Sequence, residues 1–146
     1  MRLFKLIGPL GKLDKLARQI GADRCKRFLS SLGNALALEA LALTREGFDA
    51  GTDPSGRPWK RLKDKRARTR KPLNRSGALK RSYQTVALAR SVKIFSNDPV
   101  AGYHQRGTAH LPARRQLPSA RLPLRWKDRL SPLAVIELQK LIKGET

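Results

Sequence analysis

Few side chains in this 146-residue sequence carry the chemistry of catalysis. His104 and His110 stand six residues apart, a spacing that puts them on opposite faces of a helix. With Asp98 they are the nearest approach to a hydrolytic metal site, yet neither a carboxylate pair nor a cysteine accompanies them. A structural hydrogen bond for His104 and a loop position for His110 is the preferred reading. Cys25 is the single cysteine, so neither an intrachain disulfide nor a cysteine-rich metal site is available. On a helix, such a residue more often packs than attacks. No glycine-rich phosphate loop of the Walker or dinucleotide kind is present. The expectation is a protein without catalytic residues, cofactor or metal.

Polyanion binding is the chemistry the sequence does supply. Thirty-two Lys and Arg face 11 Asp and Glu, a formal net charge of +21. Residues 57 to 90 hold 13 basic side chains against Asp64 alone. The densest part contains Arg57, Lys60, Arg61, Lys63, Lys65, Arg66, Arg68, Arg70 and Lys71. Such a tract releases condensed counterions when it neutralises nucleic-acid phosphates. It serves equally as a solvated loop or as a surface for acidic proteins. Aromatic residues for base stacking are not interleaved with it, so sequence-specific reading of nucleic acid is not expected. The first ten residues are interrupted by Gly8 and Pro9 and do not read as a signal peptide. No run approaches the roughly 18 apolar residues that span a bilayer. A soluble protein made in a reducing compartment, with no membrane partner, is therefore expected.

The elements that must position these residues are legible from spacing and punctuation. Length favours a single domain over residues 1–146. Leu13, Leu16, Ala17 and Ile20 predict a helix over about 12–20, ended by Gly21. Asp23 then caps a longer helix, about 23–48, whose stripe is Leu29, Leu32, Leu36, Ala40, Leu43 and Gly47. Gly51, Asp53, Pro54, Ser55 and Gly56 form a dense turn signal. Beyond it, residues 57–72 read as a basic loop. Ser76 opens a short helix, and Tyr83 to Leu88 with Ser91 to Ser96 predict an antiparallel hairpin. Ala101 to Gly107 fits one more helical turn. Pro112, Pro118 and Pro123 make residues 108–130 an extended, arm-like segment. Ser131 and Pro132 then cap a last helix, about 132–143, with Leu133, Ile136, Leu138, Leu141 and Ile142 as its apolar set. Helices packed on a small antiparallel sheet make an α+β domain. Phe28, Phe48, Trp59, Tyr83, Phe95, Tyr103 and Trp126 are its candidate aromatic anchors.

One ordered set of residues goes further. Phe48 and the turn Asp53-Pro54-Ser55-Gly56 are followed by Trp59 and Leu62, then Leu73, Ser76-Gly77, Leu79 and Ser82. After the hairpin come Tyr103-His104-Gln105-Arg106-Gly107 and Pro112-Ala113-Arg114. In this order they resemble the virion-morphogenesis family of tailed phages, which includes tail-completion proteins, over roughly residues 13 to 118. The chain departs from the family pattern after Arg114, where Arg115-Gln116-Leu117-Pro118 replaces an aromatic and a glycine. The resemblance implies a structural subunit of the head-to-tail joint, in a ring for which six copies are favoured. Its implied neighbours are neck and tail-tube proteins, with non-specific contact to packaged DNA. A tail terminator or a neck adaptor ring is the alternative within that class, and a non-specific nucleic-acid-binding protein the alternative outside it. Asp53, Pro54, Gly56, Trp59, Ser76, Gly77, Leu79, Tyr103, His104, Gln105, Gly107, Pro112 and Arg114 are read as architectural positions.

Overall fold

Alanine and leucine dominate the segment after Gly21, and they build one long helix, α1 (Ala22–Ala50). The computed structural model describes residues 21–62, 72–73, 75–89, 91–119 and 121–144. The helix expected over about 12–20 lies outside them. Gly21 occupies the N-cap position of α1 and Asp23 sits in its first turn, where a carboxylate favours the helix dipole without capping it. The buried line of α1 is Phe28, Gly33, Ala37, Ala40, Leu43, Thr44 and Phe48. It coincides with the predicted stripe in the second half and is rotated from it in the first, leaving Leu32 and Leu36 only half-buried. The reason is close approach by a strand. A Cβ placed at Gly33 would stand 3.2 Å from the Ala87 Cβ, so only small side chains fit the seam.

Residues 51–59 reverse the chain. Asp53 accepts hydrogen bonds through Oδ1 from the backbone N–H groups of Ser55 (2.8 Å) and Arg57 (3.0 Å). An isolated bridge between Thr52 and Pro58 closes the loop, and Trp59 N–H bonds to the Gly51 carbonyl at 2.9 Å. After residue 75 come α2 (Ala78–Ser82), β1 (Tyr83–Leu88), β2 (Ser91–Ser96), α3 (Pro99–Arg106) and α4 (Leu124–Lys143). The hairpin has the predicted strands, in register from Tyr83 opposite Ser96 to Leu88 opposite Ser91. In α3, Pro99 takes the first turn, where its missing N–H costs nothing, and Asp98 Oδ1 caps the helix by accepting from Val100 N–H at 2.9 Å.

The last helix is present and longer than its sequence signal. It starts at Leu124, so residues 124–130 are helical, and Ser131 and Pro132 lie inside it rather than at its cap. Its buried face is Trp126, Leu130, Glu137 and Leu141, with Ile136 and Ile142 turned to solvent. Trp126 explains the early start, because a helix is the conformation that brings it into line with Leu130. Helix α4 packs on α1. Arg129 pairs with Glu39 at 2.6 Å, Arg125 pairs with Glu46 at 3.1 Å, and Ser31 Oγ donates to the buried Glu137 carboxylate at 2.6 Å.

Helix α1 covers one face of the two-stranded sheet. The core formed there joins Ala37, Ala40, Leu43 and Phe48 to Val92 and Ile94, and extends to Trp59, Leu79, Leu117, Trp126 and Leu130. Phe48 is its centre, meeting Trp59 edge-on with centroids 5.4 Å apart and Tyr83 at 5.7 Å. Such aromatic pairs add about 0.5–1.5 kcal/mol beyond their burial. Together these elements make the α+β arrangement expected from the sequence.

Candidate functional site

Residues 112–119 form a strap that buries Arg114, Gln116, Leu117 and Pro118. A buried extended segment must have its backbone groups satisfied, and here side chains from three directions do so. Gln105, on α3, uses its whole amide. Its Oε1 accepts from Gln116 N–H (2.8 Å) and Leu117 N–H (3.0 Å), and its Nε2 donates to the Leu117 carbonyl at 2.8 Å. Trp59 Nε1 donates to the Arg115 carbonyl at 2.9 Å. The Tyr83 hydroxyl donates to Gln116 Oε1 at 3.0 Å, and Gln116 Nε2 donates to the Arg114 carbonyl. Arg114 N–H closes the set on the His104 carbonyl at 2.8 Å.

The Arg114 guanidinium reaches the other way. It is 4 % exposed, and its Nε donates to the Lys60 carbonyl at 2.9 Å and its Nη2 to the Arg61 carbonyl at 3.3 Å. Arg114 thus fixes the backbone of Lys60 and Arg61, the described beginning of the basic run. On the other side Lys80 binds Asp49 at 2.5 and 2.7 Å. Burial lowers the Arg114 pKa, although a guanidinium stays protonated in proteins. Burial raises the Tyr83 phenol, and Asp98 raises it further, so the hydroxyl remains a donor. His104 is held below the ordinary histidine value, first by desolvation and then by Arg114, with Asp98 opposing.

The residues singled out from sequence divide as follows. Asp53, Pro54 and Gly56 make the turn, and Asp53 also pairs with Arg57 at 3.2 Å. Trp59 is 6 % exposed and lies in the core. Ser76 Oγ accepts from Ala78 N–H at 3.3 Å, Gly77 holds the N-cap position of α2, and Leu79 is buried. Gly107 has φ 78 and ψ 169, a combination that side chains avoid, and a Cβ there would stand 2.9 Å from Ala113 N. Pro112 is half-buried between that glycine and Arg114. Tyr103 does not join the cluster or the core: it is 54 % exposed, unlike the anchor expected. Arg57, Lys60 and Arg61 are exposed, whereas Lys63, Lys65, Arg66, Arg68, Arg70 and Lys71 lie outside the described residues.

Sequence reasoning misses Gln116 and the Tyr83 hydroxyl. The run Arg114-Arg115-Gln116 reads as surface, and nothing in its composition signals that alternate residues are buried. Asp98 is engaged as the α3 cap and His110 is exposed. Among the described residues no group of three or more His, Cys, Asp or Glu is placed to hold a metal ion. Nor is any described helix long and apolar enough to cross a membrane.

A family model described as the phage virion morphogenesis family matches residues 10–127. Comparison with curated proteins and with solved structures returns no match.

Proposed function

This chain belongs to the phage virion morphogenesis family, and from that membership we propose that it is a non-catalytic subunit of the head-to-tail joint, acting in tail completion or as a neck ring. The family match over residues 10–127 carries the reading. Charge and geometry support it. Six copies at +21 each would gather 126 formal positive charges, which calls for acidic neighbouring rings or packaged DNA as counter-charge. The clamp of Arg114 on Lys60 and Arg61 would hold the start of the basic tract in a fixed place on each subunit. A wall built this way meets DNA through phosphates without reading bases. Its other partners would be the neck and tail-tube proteins, and a tail terminator or neck adaptor ring is the nearest variant.

The test is a phage carrying a stop codon in this gene together with a map of the intact virion neck. The expected outcome is separate heads and tails in the mutant lysate, and symmetric density for the protein at the joint in wild-type particles. Absence of the protein from purified particles would refute the proposal. The charge of residues 57–90 favours a second reading, non-specific nucleic-acid binding without a place in the particle. Neutralising Lys63, Lys65, Arg66 and Arg68 together separates the two. A shallower salt dependence of DNA binding, by up to about 0.9 for each phosphate no longer neutralised, with normal particle yield would support the second reading.

A further inference from the structure

The hairpin leaves both of its edges without a backbone partner among the described residues. On each strand every second residue points its N–H and C=O away from the partner strand, and no described residue outside the hairpin forms a backbone hydrogen bond with β1 or β2. Open edges are templates for another strand. On β1 that edge is flanked by Val86, 40 % exposed, and Leu88, 45 % exposed. Where β2 ends, a groove of about 360 Å3 opens between the hairpin and α3, lined by Tyr83, Ile94, Ser96, Asp98, Arg106 and Leu117. Val86 and Leu88 share the sheet face turned from α1 and border the β1 edge, and the β2 strand has room beside its end.

We propose that copies of this chain join through the hairpin, with β1 of one subunit adding to the β2 edge of the next, so that a second copy is the occupant of the groove. This rests on the ring reading above. Charge selects the occupant. Two chains of +21 repel wherever cationic faces meet, but Ser82 to Ala89 contains no Asp, Glu, Lys or Arg, and β2 adds only Lys93. Lys93 lies over the Phe95 ring at 5.2 Å. The groove adds Arg106, with Asp98 in the same lining as an opposite charge, so an incoming strand free of Asp, Glu, Lys and Arg meets few cations there. Symmetry selects the direction. Rings need two different surfaces that fit each other, and joining β1 to β2 leaves one β2 edge and one β1 edge free for the next copies, whereas a β1-on-β1 contact is satisfied by two copies. Closure removes every open edge.

The experiment is sedimentation of the purified full chain and of Val86→Lys/Leu88→Lys, at 0.15 and 0.5 M salt, with melting curves for both. Both side chains are exposed, so the melting temperature should hold. Wild type should assemble further as salt screens its charge, and the variant should stay monomeric. Equal assembly of the two would overturn the hairpin interface while leaving the ring reading intact. A wild type that is monomeric at every salt and concentration would overturn both. A second measurement fixes the direction, using chains with Cys25→Ser combined with either Val86→Cys or Lys93→Cys. Treated with a short thiol cross-linker, the mixture should give dimers that pair the two kinds of chain. Cross-linking of Val86→Cys chains to one another alone would overturn the pairing of β1 with β2.

Discussion

Replacing Gln105 by Met tests whether the buried strap is held by hydrogen bonds or by apolar packing alone. The side chain keeps nearly the same length, so the cavity contribution is small. What disappears is the three-bond engagement of Gln116 N–H, Leu117 N–H and the Leu117 carbonyl. Gln116 is 3 % exposed and Leu117 is also buried, so these groups do not regain water. A buried group left without its partner costs about 1–3 kcal/mol, and three at the low end give about 3 kcal/mol. At about 3–4 °C per kcal/mol for a domain of this size, the melting temperature should fall by about 10 °C. Gln105→Glu sharpens the test. The introduced carboxylate still accepts from both N–H groups but faces the Leu117 carbonyl without a proton, and acidification restores a donor there. The loss in that variant should therefore shrink as pH drops through the carboxylate range. Thermal melts followed by circular dichroism at pH 7 and pH 4.5 read both effects. Gln105→Met melting within about 2 °C of wild type would refute the reasoning, because that shift is worth well under one orphaned group.

Trp59→Ala should cost about 3–5 kcal/mol, as a buried aromatic removed from Phe48. Trp59→Phe should cost about 1–2 kcal/mol, through loss of the indole bond to the Arg115 carbonyl; denaturant titration of both distinguishes them. Because the folded His104 pKa lies below the ordinary 6.5, the unfolded chain binds the proton more readily. His104 thus contributes stability that is present above pH 6.5 and lost as pH falls through its lowered folded value, and His104→Gln should flatten that part of the stability profile. Gly107→Ala should destabilise by about 1–3 kcal/mol from backbone strain alone, with an added cost from the Ala113 backbone, whereas Gly56→Ala, with nothing near its Cβ position, should lose only the backbone strain. Equal melting points for the Gly107→Ala and Gly56→Ala chains would contradict the crowding argument.

Periodicity makes the framework legible. Leu, Ala and Val recur at helical and strand spacings, and turn formers bound them, so α1, the hairpin and the last helix can be located from the residues. The departures share a cause. A stripe drawn through Leu29, Leu32 and Leu36 misses that Gly33 faces the sheet, where an added Cβ would crowd Ala87. Ser131-Pro132 has the composition of a helix start, yet Trp126 and Leu130 need the helix to begin earlier to reach the core. The polar strap is illegible for a different reason. Arg114 and Gln116 are buried because carbonyls and amides from about 10 to 60 positions away meet them, and no local pattern encodes such pairing. Gln105 stands among the architectural residues through the family resemblance, without its partners.

Pro132 divides α4 in a way that bears on how the subunit opens. The ring nitrogen cannot donate to the Asp128 carbonyl, and the pyrrolidine crowds that carbonyl, so the ladder is weakest at the middle of the helix. The first half is tied down by Trp126, Leu130 and the ion pairs of Arg125 and Arg129 with α1. The second half hangs on Leu141 and on Glu137, held by Ser31 and Lys140. A break in the hydrogen-bond ladder between two separately anchored halves is a natural border between cooperative units. The final turns can unzip while the core around Trp126 stays shut, which would appear as amide exchange from residue 133 onward at a lower opening free energy than from residues 126–130.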